Sequence, residues 1–272
     1  MENRYGIKAI AIDLDGTLLT TEKIITDRTI QTLRHVMDNG IHVSIATGRS
    51  LTTASRFIEQ VGTKFPAVCY NGSCIYDPSN NKDLWHIALD SSICKRIVDI
   101  SLTSPAHLHA FQEHELYFTE NGRNADYLEP LSGKTGKAID FSKLSPLRFT
   151  KAMFIGERTE TDRIQSLLKN EFGSTLHLVY SHADYFEIMT GGATKGSALE
   201  RLMDMYGIHS DQVMAFGDAD NDKEMLTWAK FGIAMGNAHE TIKSVASDTA
   251  THNDDDGVAK KIQEIMGFQL PD

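Results

Sequence analysis

Ile10-Ala11-Ile12-Asp13-Leu14-Asp15-Gly16-Thr17-Leu18 is the stretch whose reading decides the fold. The apolar run from Ala9 to Ile12 reads as a buried strand, and it stops in two carboxylates two residues apart, followed by a glycine. Continuous apolar strands belong in parallel sheets covered on both faces. Ligands of open α/β sheets bind just beyond the carboxyl ends of such strands. Two acids placed there repel: like charges about 4 Å apart at an effective dielectric near 20 cost roughly 4 kcal/mol. The site therefore holds a cation, shares a proton, or splays the two groups apart. Read alone, Asp13 and Asp15 are equally loop acids that end a strand and cap a turn, because Asp-Gly is a common turn pair. The rest of the chain decides between the two readings.

Working outward, a polar turn after Thr17 leads to Thr26, a predicted N-cap. Ile30, Leu33 and Met37 follow at helical spacing, and Asn39-Gly40 ends that helix. Ile41 to Ala46 is predicted as a second strand ending in Thr47-Gly48-Arg49. Ser50 then starts a helix with Ala54, Phe57, Ile58 and Val61 in one apolar stripe. A small hydroxyl residue, a glycine and a helix start at the end of a parallel strand form an anion site: the glycine permits close backbone approach and the free N–H groups point at the ligand. Ala67 to Tyr70 is a third predicted strand, and Asn71-Gly72 predicts a hairpin turn into Cys74-Ile75-Tyr76.

From about Leu84 to Thr190 the strand–helix alternation gives way to paired strands. Strand-like runs lie at 107–111, 116–119, 151–155, 175–180 and 186–189, with helices predicted near 92–102, 125–131 and 160–172. This reads as an α+β module with an antiparallel sheet. Alternate histidines His107 and His109, with His114, are read as packing or surface residues rather than ligands. Lys134 and Lys137 fall in a Gly-rich loop, read as solvated.

Gly191-Gly192 marks re-entry into the alternating pattern, and Lys195 opens a helix with Ala198, Leu199, Leu202, Met203 and Tyr206 inward. A lysine at a helix start opposes the helix dipole and makes sense beside an anion. Gln212 to Phe216 is the next strand, stopping in Gly217-Asp218-Ala219-Asp220-Asn221-Asp222; Asp220 is read as a turn residue only. A helix at 223–228, a strand at 231–235, a helix near 240–246 and a last helix carrying Val258, Ile262, Ile265 and Met266 follow. Asp254-Asp255-Asp256 before that helix is read as a solvated loop and N-cap. The expected architecture is a doubly wound, Rossmann-like parallel sheet over 1–83 and 191–272, with an α+β domain inserted at 84–190.

Composition narrows the partners. The 272 residues carry a net charge of −10 with no basic block, which argues against nucleic acid or an anionic membrane surface. No apolar run reaches about 18 residues, so no membrane span is expected, and the N-terminus enters the first strand too early for a secretory leader. Cys69, Cys74 and Cys94 show no disulfide or zinc spacing and are expected as buried, reduced thiols, in keeping with a cytoplasmic location.

Four strand ends then carry Asp13/Asp15, Thr47-Gly48, Lys195 (opening the following helix) and Asp218/Asn221/Asp222, and strand–helix units of this kind converge on one crevice. Clustered carboxylates without histidine match Mg²⁺, which prefers oxygen ligands. A lysine, a hydroxyl and backbone N–H groups supply donors for phosphoryl oxygens. Phosphoryl transfer is the reaction that needs both sets.

The pattern Asp13-Leu14-Asp15-Gly16-Thr17, Thr47-Gly48-Arg49, Lys195 and Gly217 to Asp222 resembles the four motifs of the haloacid dehalogenase superfamily. It is similar in particular to the Cof-type phosphatases, whose α/β cap lies between the second and third motifs. The Asn71-Gly72 turn and the Gly192-Ala193-Thr194-Lys195-Gly196 run resemble that subfamily too. The resemblance implies that Asp13 is a nucleophile forming an aspartyl-phosphate and that Asp15 is general acid and then general base. It implies that Mg²⁺ is held by Asp13, the Asp15 backbone carbonyl and Asp218, with Asp222 steadying the shell. Leu14, Thr47, Gly48, Lys195 and Asn221 are implied to hold the phosphoryl oxygens, while Arg49 faces either the phosphoryl group or the substrate. The cap is implied to exclude water and choose the leaving group. The expected activity is a Mg²⁺-dependent phosphatase of small phosphorylated metabolites, such as sugar phosphates or flavin- or pyridoxal-type cofactor phosphates, acting as a monomer or weak homo-oligomer. A sugar phosphomutase with the same chemistry is the alternative. A phospho-acceptor signalling domain shares several residue types but lacks an acid two residues after its nucleophile and has no large insertion.

Overall fold

The computed structural model describes residues 2–119, 136–182 and 184–270. The helix expected at 125–131 and the loop lysine Lys134 lie outside them. In chain order the described elements begin with β1 (Ala9–Ile12), α1 (Asp27–Asp38), β2 (His42–Ile45), α2 (Leu51–Val61), β3 (Ala67–Cys69), β4 (Cys74–Asp77) and β5 (Lys82–His86). The middle gives α3 (Ser91–Ser101), β6 (His107–Gln112), β7 (Glu115–Phe118), β8 (Lys137–Ala138), β9 (Lys151–Ile155), α4 (Arg158–Phe172), β10 (Leu176–His182) and β11 (Tyr185–Thr190). The chain closes with α5 (Lys195–Met205), β12 (Val213–Gly217), α6 (Lys223–Trp228), β13 (Phe231–Ala234), α7 (Glu240–Lys243), β14 (Asp248–Thr249) and α8 (Gly257–Met266).

Two compact units result: residues 1–48, 55–85 and 194–272 form one, and 49–54 with 86–193 the other. The first is built on a parallel sheet in the order β14-β13-β12-β1-β2. All four residues of β1 are buried, which is what a strand without alternation requires. It is an interior strand, with Ala9 opposite His42 on one side and Val213 on the other. The chain leaves β1 toward β2 and later returns on the opposite side as β12. The carboxyl ends of β1 and β12 therefore flank a point where strand order reverses, the place where open α/β sheets bind ligands. Alanines at 9, 11 and 215 let α5 and α6 approach the sheet with Leu199, Leu202, Met225 and Leu226.

Local signals behave as chemistry dictates, with small departures. Thr26 caps α1 by accepting from the Thr29 N–H at 3.2 Å, but Val36 rather than Met37 takes the inner position of the stripe. β3 joins β2 only by a bridge from Ala46 to Val68, and its main partner is β4. The register Cys69 to Cys74 makes the connection a four-residue loop rather than a two-residue turn. Tyr70, Asn71 and Gly72 take φ of 53°, 52° and 102° in succession.

In the second unit the sheet order is β10-β11-β9-β6-β7-β8, antiparallel except for the β7–β8 pair. One face packs on α3 and α4 through Ile93, Ile97, Ile164 and Leu168. The other carries a buried pair, Lys151 Nζ to Glu187 Oε1 at 2.9 Å. His107 and His109 stack edge-on at 4.9 Å between centroids, and both face Phe118. All three cysteines are buried and unbridged, and burial pushes the Cys94 thiol up to about 11. Among the described residues no helix is long and apolar enough to cross a membrane.

Candidate active site

β1 delivers Asp13, 4% exposed, one residue past the strand. The Asp13 N–H still donates to the Phe216 carbonyl at 3.1 Å, and the chain then turns, with the Leu18 N–H returning to the Asp13 carbonyl at 3.1 Å. Gly16 makes the turn at φ +80°, and a Cβ there would stand 2.4 Å from Asp218 Oδ2, so both backbone conformation and space demand glycine. Leu14 is completely buried. Asp15 turns outward, and Lys23 Nζ lies 2.9 Å from its Oδ1.

The second segment comes from the end of β2. Thr47 is buried; its N–H donates to the Val68 carbonyl at 2.8 Å, and its own carbonyl accepts from the Asn71 N–H at 3.1 Å. A Cβ on Gly48 would lie 2.7 Å from Asn71 Oδ1. That oxygen accepts from Asn221 Nδ2 at 2.9 Å, so the hairpin loop ties the second segment to the fourth. A Cβ on Gly72 would lie 2.1 Å from the Thr194 carbonyl, which places this loop directly against the start of α5.

Lys195 is the first residue of α5, behind a capping box formed by Thr194 and Ser197. It is 1% exposed, and its Nζ lies 2.6 Å from Asp13 Oδ1 and 2.7 Å from Asp222 Oδ1. Two buried carboxylates thus account for a cation at the unfavourable end of a helix. Asp222 uses its other oxygen to accept from the Asp218 and Ala219 N–H groups at 3.0 and 3.1 Å. Asp218 in turn accepts from Thr17 Oγ1 at 2.9 Å. Asp220 is exposed, as its reading as a turn residue requires.

The two acids of the opening motif are thus splayed onto different lysines, Asp13 onto Lys195 and Asp15 onto Lys23. Asp13, Asp218 and Asp222 nevertheless bring carboxylate oxygens within 4.8 Å of one another, with one buried ammonium among them. Burial holds the Asp13 carboxyl well above the usual carboxylate range; Lys195 opposes this, while Asp222 and Asp218 reinforce it. Burial, with Asp222 next, pushes Asp218 up to about 6. Burial works against the Lys195 ammonium, but Asp13 and Asp222 outweigh it and hold the group above its ordinary value. An all-oxygen cluster short of positive charge fits a hard divalent cation.

Sequence reading missed what holds the first turn. Asn237 Nδ2 donates to the Gly16 carbonyl at 2.8 Å, the Asn253 N–H donates to Asn237 Oδ1 at 3.1 Å, and Asn253 Nδ2 donates to the Leu19 carbonyl at 2.8 Å. Asn237 follows the end of β13, and that position past a parallel strand was the signal available. The acidic stretch beside Asn253 is not merely solvated. Asp254 accepts from the Thr21 N–H and Oγ1, each at 2.7 Å, and Asp256 accepts from Thr26 Oγ1 at 2.6 Å.

Comparison with known proteins follows the same outline. A profile of the haloacid dehalogenase-like hydrolases matches residues 10–262. The chain is 30% identical to the 5-amino-6-(5-phospho-D-ribitylamino)uracil phosphatase YitU of Bacillus subtilis (strain 168), over 95% of this chain and 97% of that one. It is 31% identical to the HMP-PP phosphatase of Serratia proteamaculans (strain 568), over 86% of each. A haloacid dehalogenase-like hydrolase from Bacteroides thetaiotaomicron superposes with a TM-score of 0.89 at 25% identity, covering 95% of this chain and 99% of that one.

Proposed function

We propose, from the premise that this chain belongs to the haloacid dehalogenase-like hydrolases, that it is a Mg²⁺-dependent phosphatase acting through a phosphorylated Asp13. The chain is a phosphoric monoester hydrolase of small phosphorylated metabolites. The observation that carries the finer reading is a buried carboxylate at a strand end, held by Lys195 at 2.6 Å and faced by Asp218 and Asp222.

Lys195 fixes Oδ1 of Asp13, and we assign the attack on phosphorus to the other oxygen. The new O–P bond forms as the bond to the leaving oxygen breaks, and Asp15 gives that oxygen its proton. Water, losing a proton to Asp15, then attacks phosphorus and releases inorganic phosphate, regenerating the Asp13 carboxylate. The Thr47 hydroxyl, the Leu14 and Gly48 backbone N–H groups, Lys195 and Asn221 are assigned to the phosphoryl oxygens. Asn221 is kept in place by Asn71. Asp13, Asp218 and the Asp15 carbonyl are the residues that would hold Mg²⁺. Asp222, with its oxygens engaged by Lys195 and two backbone N–H groups, steadies that set from behind. The cation, when bound, supplies charge compensation for the phosphoryl oxygens.

The relatives named for a phosphoribityl compound and for HMP-PP support a substrate in which a small organic alcohol carries the phosphate. We assign the choice of that alcohol to the inserted domain. The test is phosphate release from a panel of sugar and cofactor phosphates, with Mg²⁺ and then with EDTA. Metal-dependent release from one or a few members is expected. Undiminished release in EDTA, or no release from any member while phosphate moves between hydroxyls, would overturn the reading.

A further inference from the structure

We propose that Lys23 is a positioning residue for the proton-transfer step: its ammonium holds Oδ1 of Asp15 so that the other, protonated oxygen meets the leaving oxygen, and Asp254 and Asp256 hold the turn that carries the lysine. The inference rests on the reading of Asp15 as general acid given above.

An ion pair between half-exposed side chains contributes little to stability, so the Lys23–Asp15 contact at 2.9 Å does not explain the effort spent on placing it. That effort is visible in the backbone. Lys23 adopts φ +61°, a left-handed conformation that is unfavourable for a non-glycine residue and that persists where the surroundings over-determine it. Here they do. The Lys23 N–H donates to the Thr20 carbonyl at 2.9 Å, and the Thr20 N–H donates to the Ile24 carbonyl at 2.9 Å, closing the turn on itself. On one side of the lysine Thr21 delivers both its N–H and its hydroxyl to Asp254; on the other Thr26 delivers its hydroxyl to Asp256. Asp254 and Asp256 lie more than 200 residues further along the chain, and Asp256 is itself left-handed at φ +55°.

Two strained residues and three hydrogen bonds from a distant segment thus fix an exposed turn that delivers the Lys23 ammonium to Asp15. A general acid must present one oxygen to the leaving group within a few tenths of an ångström. Asp15, 41% exposed at its side chain, gains that definition from the lysine.

The test uses single-turnover release of the alcohol from an alkyl phosphate that the enzyme accepts and from p-nitrophenyl phosphate, with Mg²⁺ saturating. The nitrophenolate leaves without a proton, so only the alkyl ester reports on the acid. Asp15→Asn is the reference, expected to slow the alkyl ester by about 10²-fold or more and the aryl ester far less. Lys23→Met is expected to show the same split in smaller size, about ten-fold on the alkyl ester and under two-fold on the aryl ester. Lys23→Arg should restore most of the loss, and Thr21→Val should reproduce part of it. A split in Asp15→Asn with none in Lys23→Met, or an equal loss on both esters in Lys23→Met, would overturn the role of Lys23 and leave the acid in place. No split in Asp15→Asn would overturn the acid assignment and this inference with it.

Discussion

Replacing Lys195 by Met retains an unbranched side chain of similar length and removes the one buried ammonium among three carboxylates. Asp13 and Asp222, 4% and 0% exposed, then lose a partner at 2.6 and 2.7 Å. Breaking a buried pair by removing one member costs about 3–5 kcal/mol, and two acids are stranded here, so the upper end of that range is expected. Domain stability is roughly 5–15 kcal/mol in total. With a denaturant slope of about 2 kcal/mol/M, the urea midpoint should fall by about 2 M. Trp85 and Trp228 are the two tryptophans, and both pack on the core of the parallel-sheet unit, so their fluorescence follows that unit alone. The measurement belongs in EDTA, where no divalent cation takes over the compensation. Its pH dependence separates charge from volume. Asp13 is already held above its ordinary range by burial, and Lys195 opposes that shift. Without the lysine the folded state binds the Asp13 proton still more tightly than the unfolded state does, so stability falls as pH rises. The deficit should be largest near pH 8 and shrink toward pH 5. A loss under about 1 kcal/mol at pH 8, or one that does not change with pH, would refute the reasoning.

Asp13→Asn should abolish turnover while leaving the circular dichroism spectrum unchanged; full residual activity in that variant would sink the nucleophile assignment. Gly16→Ala should cost about 1–2 kcal/mol through its left-handed backbone. With the new methyl 2.4 Å from Asp218 Oδ2, it should also raise the Mg²⁺ concentration for half-maximal rate about ten-fold, and a wild-type Mg²⁺ titration would contradict this. Because burial pushes Asp218 up to about 6 from 3.8 ordinarily, its proton should compete with the cation assigned to it. The Mg²⁺-induced rise in melting temperature should therefore be small at pH 5 and grow through pH 6 to 7, and a rise independent of pH would exclude the competition. In EDTA the same group has the opposite sign: its folded form keeps the proton, so its contribution to stability is lost as pH climbs through that window.

The parts of the site that declared themselves in the sequence are those whose signals are local. An apolar run ending in Asp13-Leu14-Asp15 marks a strand end wherever it occurs, and a lysine opening a helix is a misfit that asks for an anion; Lys195 found two. Asn237 and Asn253 gave no such signal, because asparagine after a strand or in a loop is what any turn contains. Their meaning lies in bonds to Gly16 and Leu19, more than 200 residues away. The same distance hid the acidic loop: three aspartates in a row look solvated until Thr21 and Thr26 are placed beside them. Asn71 was legible as a turn, but the four-residue loop depends on the Cys69–Cys74 register, which the turn residues alone do not set.

The wiring of the site also sets a schedule for its birth. Lys195 follows Asp13 by 182 residues, and Asp218 follows Thr17 by 201. At about 5–20 residues per second of synthesis, Asp13 waits roughly 10–40 s for Lys195. Over that interval β1 has β2 on one side and nothing on the other, because its remaining neighbour, β12, begins at Val213. A wholly apolar strand with one bare edge is what promiscuous strand pairing and chaperones both recognise. Each newly made copy thus passes through a period in which the strand that carries Asp13 has an unpaired apolar edge.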